Sequence, residues 1–143
     1  MNEWFQIANI EDIDSPALVV YPERIKANIE LAKQMTGKVG RLRPHVKTNK
    51  MTEVCRMMLQ AGISKFKCAT IAEAEMLAMA GAPDVLLAYQ PVGPKINRLL
   101  NIVKAFPESH FSCLVDNPEN TLIINRFCRK EEVGMDVFID LNT

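Results

Sequence analysis

The sequence has no excess of charge of either sign: 17 Lys and Arg residues balance 17 Asp and Glu residues among 143, and the pI is about 6.7. A neutral chain has no basic field to attract nucleic acid or an anionic membrane surface. It also has no apolar run near the roughly 18 residues of a membrane span, and its first residues lack the basic-then-apolar order of a signal peptide. These absences predict a cytoplasmic protein without nucleic-acid or membrane partners.

Cysteine and glycine are too few and too scattered for two common kinds of site. The four cysteines never form a CxxC or CxxH pair, so their spacing predicts buried, reduced thiols and no zinc site. The six glycines never form GxGxxG or GxxxxGK[ST], the loops that cradle phosphates in nucleotide-binding folds. The sequence therefore indicates neither a metal site of its own nor a dinucleotide-binding fold.

The chain does contain a regular alternation of short apolar runs and amphipathic stretches. This alternation predicts six strands separated by five helices, with the strands at residues 17–21, 41–47, 65–70, 84–89, 110–115 and 136–142. Thr52 and Thr70 are the predicted N-caps of two of the helices, and Thr70 forms a T-x-x-E capping box with Glu73. Strands that are apolar nearly throughout are typical of a parallel sheet covered by helices.

The parallel sheet is expected to be part of a barrel. A (β/α)8 barrel needs about 250 residues, so 143 residues that end on a strand fit only its first part. The predicted fold class is α/β, a partial (β/α)8 TIM barrel with parallel strands in chain order from residue 41 onward and helices outside. Residues 22–143 would form this barrel part, and residues 1–21 would form a separate N-terminal segment.

The run RLRPHVK (41–47) carries the residues best suited to chemistry. Side chains alternate along a strand, so Arg43, His45 and Lys47 share one face. If that face points into the barrel, Lys47 reaches the C-terminal mouth, where barrel enzymes keep their active sites. There a lysine beside other cations is suited to Schiff-base chemistry with a carbonyl. The alternative is an edge strand whose three basic side chains are solvated.

Other polar residues compete for a role at the same mouth. Lys50 falls past the strand end and is expected to face solvent or a ligand phosphate, while His110 starts its strand at the opposite rim and is expected to be structural. The remaining candidates stand at the ends of predicted strands: Thr70, Tyr89, Gln90, Asp116, Asp140 and Asn142. Two of them have competing roles, since Thr70 is expected to cap a helix and Asp116 is expected to cap or flank one.

Three sequence blocks carry a family resemblance. They are DIDSPALVV (12–20), RPHVKTNK (43–50) and CATIAEAEMLAMAG (68–81). In this order and spacing the chain resembles the N-terminal part of the D-serine dehydratase and D-threonine aldolase family. The resemblance implies an alanine-racemase-type barrel that binds pyridoxal phosphate and is followed by a β-domain. In that family the lysine of the PHxK step forms the internal aldimine, and this lysine falls here on Lys47.

The resemblance also implies a reaction and a set of partners. It implies a lyase that acts on a β-hydroxy D-amino acid, either as a dehydratase or as an aldolase, with a divalent metal held by the C-terminal domain. The intact protein would be a homodimer, and residues 1–21 would pair with the β-domain. The residues expected to bind the cofactor are Lys47, His45, Arg43, Tyr89 and Asn142.

Besides a self-contained α/β binding module, two other functions stay open at this point. A racemase is disfavoured because KTNKMTEV (47–54) stands where alanine racemases carry a KANAYGHG-like run. In addition, Asp140 stands where racemases often have a lysine. A non-catalytic pyridoxal-phosphate homeostasis protein shares the K-T step and the barrel. Its G-E-N-x-x-Q-E run is missing, and CATIAEAE (68–75) occupies that region.

Overall fold

The computed structural model describes residues 4–141, and within this range the strands form one parallel sheet. The sheet order follows the chain order: β1 (Lys65–Cys68), β2 (Asp84–Leu87), β3 (His110–Val115) and β4 (Asp136–Ile139). A helix precedes or follows each strand: α1 (Pro22–Thr36), α2 (Thr52–Gln60), α3 (Ile71–Met79), α4 (Pro94–Ala105) and α5 (Pro118–Lys130). The predicted α/β fold with parallel strands in chain order and outer helices is confirmed.

The two faces of the sheet differ in character. One face packs against the helices and contains the buried side chains Phe66, Cys68, Val85, Leu87, Phe111 and Cys113. Because side chains alternate along each strand, the opposite face carries the polar strand residues Lys65, Lys67, Asp84, His110, Ser112 and Asp136. This second face corresponds to the interior of a barrel and positions the functional groups described below.

The strand predicted at residues 41–47 is wrong. The segment forms a 3₁₀ turn at Val39–Arg41, a single parallel bridge from His45 to Lys67, and a second 3₁₀ turn at Val46–Thr48. Pro44 explains part of this difference, because proline has no N–H to give to a ladder and only its carbonyl is used, by Lys67 N at 2.9 Å. The turns at either end leave too few residues for a continuous ladder.

The strand predicted at residues 17–21 is also absent from the structure. The backbone at Tyr21 is extended, but the segment pairs with no strand among residues 4–141, and Leu18, Val19 and Val20 are exposed. A strand needs hydrogen bonds from a neighbour, and the described part of the chain supplies none here. Pairing with a further β-domain stays a prediction.

The helix caps were predicted in part. Thr70 is the N-cap of α3 and accepts a hydrogen bond from Glu73 N at 3.1 Å, as expected. Thr52 is already helical, and Met51 occupies the N-cap position of α2 without a side-chain bond. In the sheet, β4 ends at Ile139, before the predicted limit. None of the helices described is both long and apolar enough to cross a membrane.

Candidate active site

Lys47 lies in a short turn at the carboxyl ends of the strands, a region called the mouth below. The bridge between His45 and Lys67 sets this segment parallel to β1, so Lys47, two residues further on, stands at the same edge as the end of β1. Val46 is fully buried beneath the turn, and its carbonyl accepts from Asn49 N and Lys50 N at 3.2 and 2.9 Å. The turn thus presents the exposed Lys47 side chain on a fixed backbone.

His45 fixes the start of this turn through its imidazole. Its Nδ1 accepts a hydrogen bond from Lys47 N at 3.3 Å, which requires that Nδ1 carry no proton. Burial lowers the pKa of His45 below 6.5, the ammonium groups of Lys47 and Lys67 lower it further, and the Glu73 carboxylate acts in the opposite direction. Both observations describe a neutral imidazole beside two cationic side chains.

Glu73 brings a carboxylate to the mouth from the first turn of α3. It is 4% exposed, and its Oε2 accepts from Ala69 N at 2.7 Å. Its Oε1 lies 3.7 Å from Lys50 Nζ. Burial raises the pKa of the Cys68 thiol to about 12, and the Glu73 carboxylate contributes to that rise. Glu73 therefore places a buried carboxyl group beside Lys50 at the mouth.

Arg43 lies at the other end of the barrel face. Its Nη1 and Nη2 donate to the two carboxylate oxygens of Asp84 at 2.6 and 2.8 Å, and Nη1 also reaches Phe66 O at 3.3 Å. Asp84 begins β2, so this pair belongs to the rim where the strands start. His110 lies at the same rim, 3.0 Å from Asp136. The structure therefore places Arg43 and Lys47 at opposite ends of the segment.

Tyr89 follows β2 and lines a cleft beside the N-terminus of α3. This cleft is lined by Ala69, Thr70, Ile71, Ala72, Tyr89, Lys95 and Arg98. Lys95 Nζ lies 5.0 Å from the Tyr89 ring centroid, within the range of a cation–π contact. Burial and the neighbouring Cys68 raise the pKa of Tyr89, and Arg98 acts against them. His45 and Lys47 are not among the residues that line this cleft.

The other candidates from strand ends have roles in the loops. Gln90 Oε1 accepts from Asp116 N and Asn117 N at 3.0 and 3.2 Å and so joins the loops after β2 and β3. Asn117 is the N-cap of α5. Asn142 lies outside the described residues. Within residues 4–141, no three His, Cys, Asp or Glu side chains form a group that could hold a metal ion.

The sequence did not single out Glu73 or Lys67 as residues of the site. Glu73 was expected only to complete the capping box with Thr70. Its backbone does so, but its side chain bonds Ala69 N and leaves one oxygen toward Lys50. The spacing of a capping box indicates the backbone bond but not what the free oxygen meets. The alternation K-F-K in β1 was the available signal for Lys67, because it sets Lys67 on the face opposite the core.

Comparison with protein families gives a match over most of the chain. The model of the family described as "Alanine racemase, N-terminal domain" matches residues 20–143. Two curated proteins are similar in sequence. One is D-threo-3-hydroxyaspartate dehydratase of Delftia sp. (strain HT23), 30% identical over 132 residues. The other is D-threonine aldolase of Arthrobacter sp., 25% identical over 131 residues.

Solved structures give the same picture for the fold. D-threonine aldolase from Filomicrobium marinum superposes with a TM-score of 0.81 at 24% identity, covering 93% of this chain and 36% of that one. D-threo-3-hydroxyaspartate dehydratase from Delftia sp. HT23 gives a TM-score of 0.77 at 30% identity, covering 90% of this chain. The matches with the two curated proteins cover 92% and 91% of this chain, but only 34% of each relative's length. It thus spans about a third of those proteins.

Proposed function

Because this chain belongs to the family of the alanine racemase N-terminal domain, we propose that it provides the lysine-bearing part of a pyridoxal-phosphate-dependent lyase for β-hydroxy D-amino acids. The amine that binds the cofactor is Lys47. The observation that carries this proposal is the position of Lys47 at the carboxyl ends of parallel strands, on a turn anchored by the buried Val46.

The substrate class comes from what two relatives have in common. Their names specify D-threo-3-hydroxyaspartate and D-threonine as substrates, and both molecules are D-amino acids with a hydroxyl group on the β-carbon. The named reactions differ, since one relative is a dehydratase and the other an aldolase. The shared chemistry is a β-hydroxy D-amino acid, and this chain is proposed to serve an enzyme of that substrate class.

The residues at the mouth fit the proposed cofactor. The aldehyde of the cofactor forms a Schiff base only with a primary amine that it can reach, and the Lys47 side chain is exposed. An anionic phosphate is favoured by nearby positive charge, and Lys47 and Lys67 both act on His45 as cations. When bound, pyridoxal phosphate supplies an electron sink for the bond that breaks at Cα.

The chain itself supplies position and charge. His45 holds the backbone N–H of Lys47 through Nδ1, so the turn keeps one orientation relative to β1. Its lowered pKa leaves His45 neutral at pH 7, so the imidazole adds no further positive charge beside the two lysines. The Glu73 carboxylate offsets part of the positive charge from the α3 side.

Trapping of the cofactor tests the proposal. The chain is incubated with pyridoxal phosphate, reduced with borohydride and digested, and the labelled peptide is identified by mass spectrometry. We expect the pyridoxyl label on Lys47, loss of the label in Lys47→Ala, and retention in Lys50→Ala. A label on Lys67 or on no lysine of the chain would contradict the proposal.

Turnover separates the lyase from a protein that only binds the cofactor. The measurement uses the polypeptide in its native length, with D-threonine and D-threo-3-hydroxyaspartate as substrates. A dehydratase releases ammonia, whereas an aldolase releases an aldehyde from the β-carbon. Label on Lys47 without either product would support the non-catalytic binding function.

A further inference from the structure

Glu73 is a buried carboxylate that the fold satisfies only in part. Its side chain is 5% exposed, and Oε2 accepts from Ala69 N at 2.7 Å. Among residues 4–141, Oε1 has no hydrogen-bond partner, although Lys50 Nζ lies 3.7 Å away. A buried carboxylate is costly unless a charge or a donor compensates it. The Lys50 ammonium is the group in position to do so.

Lys50 reaches this carboxylate from an unusual backbone conformation. Its φ is 49°, in the left-handed region that residues other than glycine seldom adopt. Lys50 N donates to Val46 O at 2.9 Å, and Met51 N donates to Asn49 Oδ1 at 3.3 Å. The backbone therefore turns sharply after Lys47, and this turn brings the Lys50 side chain to the α3 side of the mouth.

The two lysines of the turn consequently have different surroundings. Lys47 and Lys50 are three residues apart, and both are exposed enough to react with a dissolved aldehyde. Lys50 faces a buried carboxylate. Lys47 makes no ion pair with any residue that the structure describes, and Lys67, the other lysine that faces His45, offers it no opposite charge. An amine that attacks an aldehyde must be free to reach it, and the contact with Glu73 holds Lys50 Nζ toward α3.

We propose that Glu73 is a positioning residue that selects between the two lysines. It holds Lys50 against α3 and so leaves Lys47 as the amine that reaches an aldehyde at the mouth. This inference rests on the proposed function, in which Lys47 binds pyridoxal phosphate. It adds that Glu73 determines which of the two lysines reacts with the cofactor aldehyde. Glu73 acts through Lys50 and needs no contact with the cofactor.

Competitive reductive methylation tests the selection without the cofactor. The full chain is treated with formaldehyde and a mild borane reductant, and the modification rates of individual lysines are followed by mass spectrometry. Lys38 serves as the internal reference because it is exposed and lies in a loop. We expect Lys50 to react at least about threefold more slowly than Lys38, as an ion pair of modest strength would produce. Equal rates in the unaltered chain would overturn the inference.

Glu73→Gln removes the charge while keeping the size of the side chain. We expect the rate of Lys50 in this variant to rise to that of Lys38, whereas Glu75→Gln, an exposed residue of the same helix, should change neither rate. An unchanged Lys50 rate in folded Glu73→Gln would overturn the selection. If this variant fails to fold by circular dichroism, the comparison of Lys50 with Lys38 in the unaltered chain decides.

Pyridoxal phosphate as the aldehyde then separates this inference from the proposed function. In the unaltered chain the trapped label should be on Lys47, and in Glu73→Gln it should be shared between Lys47 and Lys50. A label that stays on Lys47 alone in Glu73→Gln overturns the selection and leaves the proposed function intact. If no label forms while the formaldehyde rates follow the expected pattern, the proposed function fails and the selection by Glu73 stands.

Discussion

Arg43 and Asp84, 41 positions apart in the chain, form an ion pair in which two guanidinium nitrogens face two carboxylate oxygens. Such paired contacts are stronger and more directional than a single charged contact. They join the segment before the Lys47 turn to the start of β2. In that segment Pro44 prevents a continuous ladder of strand hydrogen bonds. The ion pair therefore supplies part of the attachment that strand hydrogen bonds would otherwise provide.

Replacing Arg43 should weaken the fold measurably. Arg43→Met leaves the Asp84 carboxylate, which is only 24% exposed, without its partner. We expect the free energy of unfolding to fall by about 1.5–3 kcal/mol, the range for hydrogen bonds to charged groups. Urea unfolding followed by circular dichroism measures the change. Glu23→Gln, which breaks an exposed pair with Lys26, is the control and should cost less than about 0.5 kcal/mol.

The stability of the chain should depend on pH through His45. Because the pKa of His45 is lowered in the folded state, the unfolded chain binds a proton more readily as the pH falls below 6.5. The stability that the chain has above pH 6.5 is therefore lost as the pH falls from 6.5 to the pKa of His45 in the folded state. The unaltered chain should lose more stability between pH 7.5 and 5.5 than His45→Gln does. Urea unfolding at both pH values measures this difference, and equal losses would contradict the expectation.

The same protonation should disturb the Lys47 turn. A proton on Nδ1 would remove the acceptor of the Lys47 N–H bond. For the urea measurement of His45→Gln, the matched control is His110→Gln, because His110 lies at the opposite rim beside Asp136. It should retain the acid-induced loss that His45→Gln lacks.

Thr70 should contribute to stability as the N-cap of α3. Thr70→Ala removes the acceptor of the Glu73 N–H bond and should lower the free energy of unfolding by about 1 kcal/mol. Thr70→Ser keeps the hydroxyl and should retain most of that stability. Thr52→Ala offers a second comparison, since Thr52 makes no capping bond at its helix and should have a smaller effect. Urea unfolding of the three variants tests this order.

The β4 edge should make the chain associate. Ile139 is 73% exposed on a strand whose outer side has no partner among residues 4–141. Exposed apolar edge strands promote pairing between chains. Sedimentation velocity should show association that increases with concentration and that Ile139→Lys reduces. A monodisperse monomer at all concentrations would contradict this expectation.

The parts of the fold that the sequence predicted are those with strong local signals. Residues 110–115 are mostly apolar and flanked by turn residues, and β3 occupies the same range. Thr70, with Glu73 three residues later, marked the start of α3 correctly. In contrast, the alternation in RLRPHVK resembled a strand, and Pro44 together with two 3₁₀ turns allowed only one bridge. Local periodicity does not show whether a partner is within reach.

The candidate site was predicted to a similar extent. Lys47 at the mouth and His45 beside it follow from the spacing of RPHVK, and the structure brings these two residues together. Arg43 shares their face, but it lies two residues before His45 and pairs with Asp84 at the opposite rim. The approach of Lys50 to Glu73 joins two separate segments through a left-handed backbone, and no sequence periodicity encodes such a contact.

The agreement between sheet order and chain order has a consequence for how this protein forms. Each strand pairs with the one that precedes it in the chain, through a connection of one helix. Contacts between neighbours in sequence cost less loop-closure entropy than distant ones and form faster. During synthesis β1 and β2 can therefore pair before β4 has been translated, and each later strand is added to an edge that already exists. Assembly of the sheet can proceed in the direction of the growing polypeptide, from its amino end to its carboxyl end.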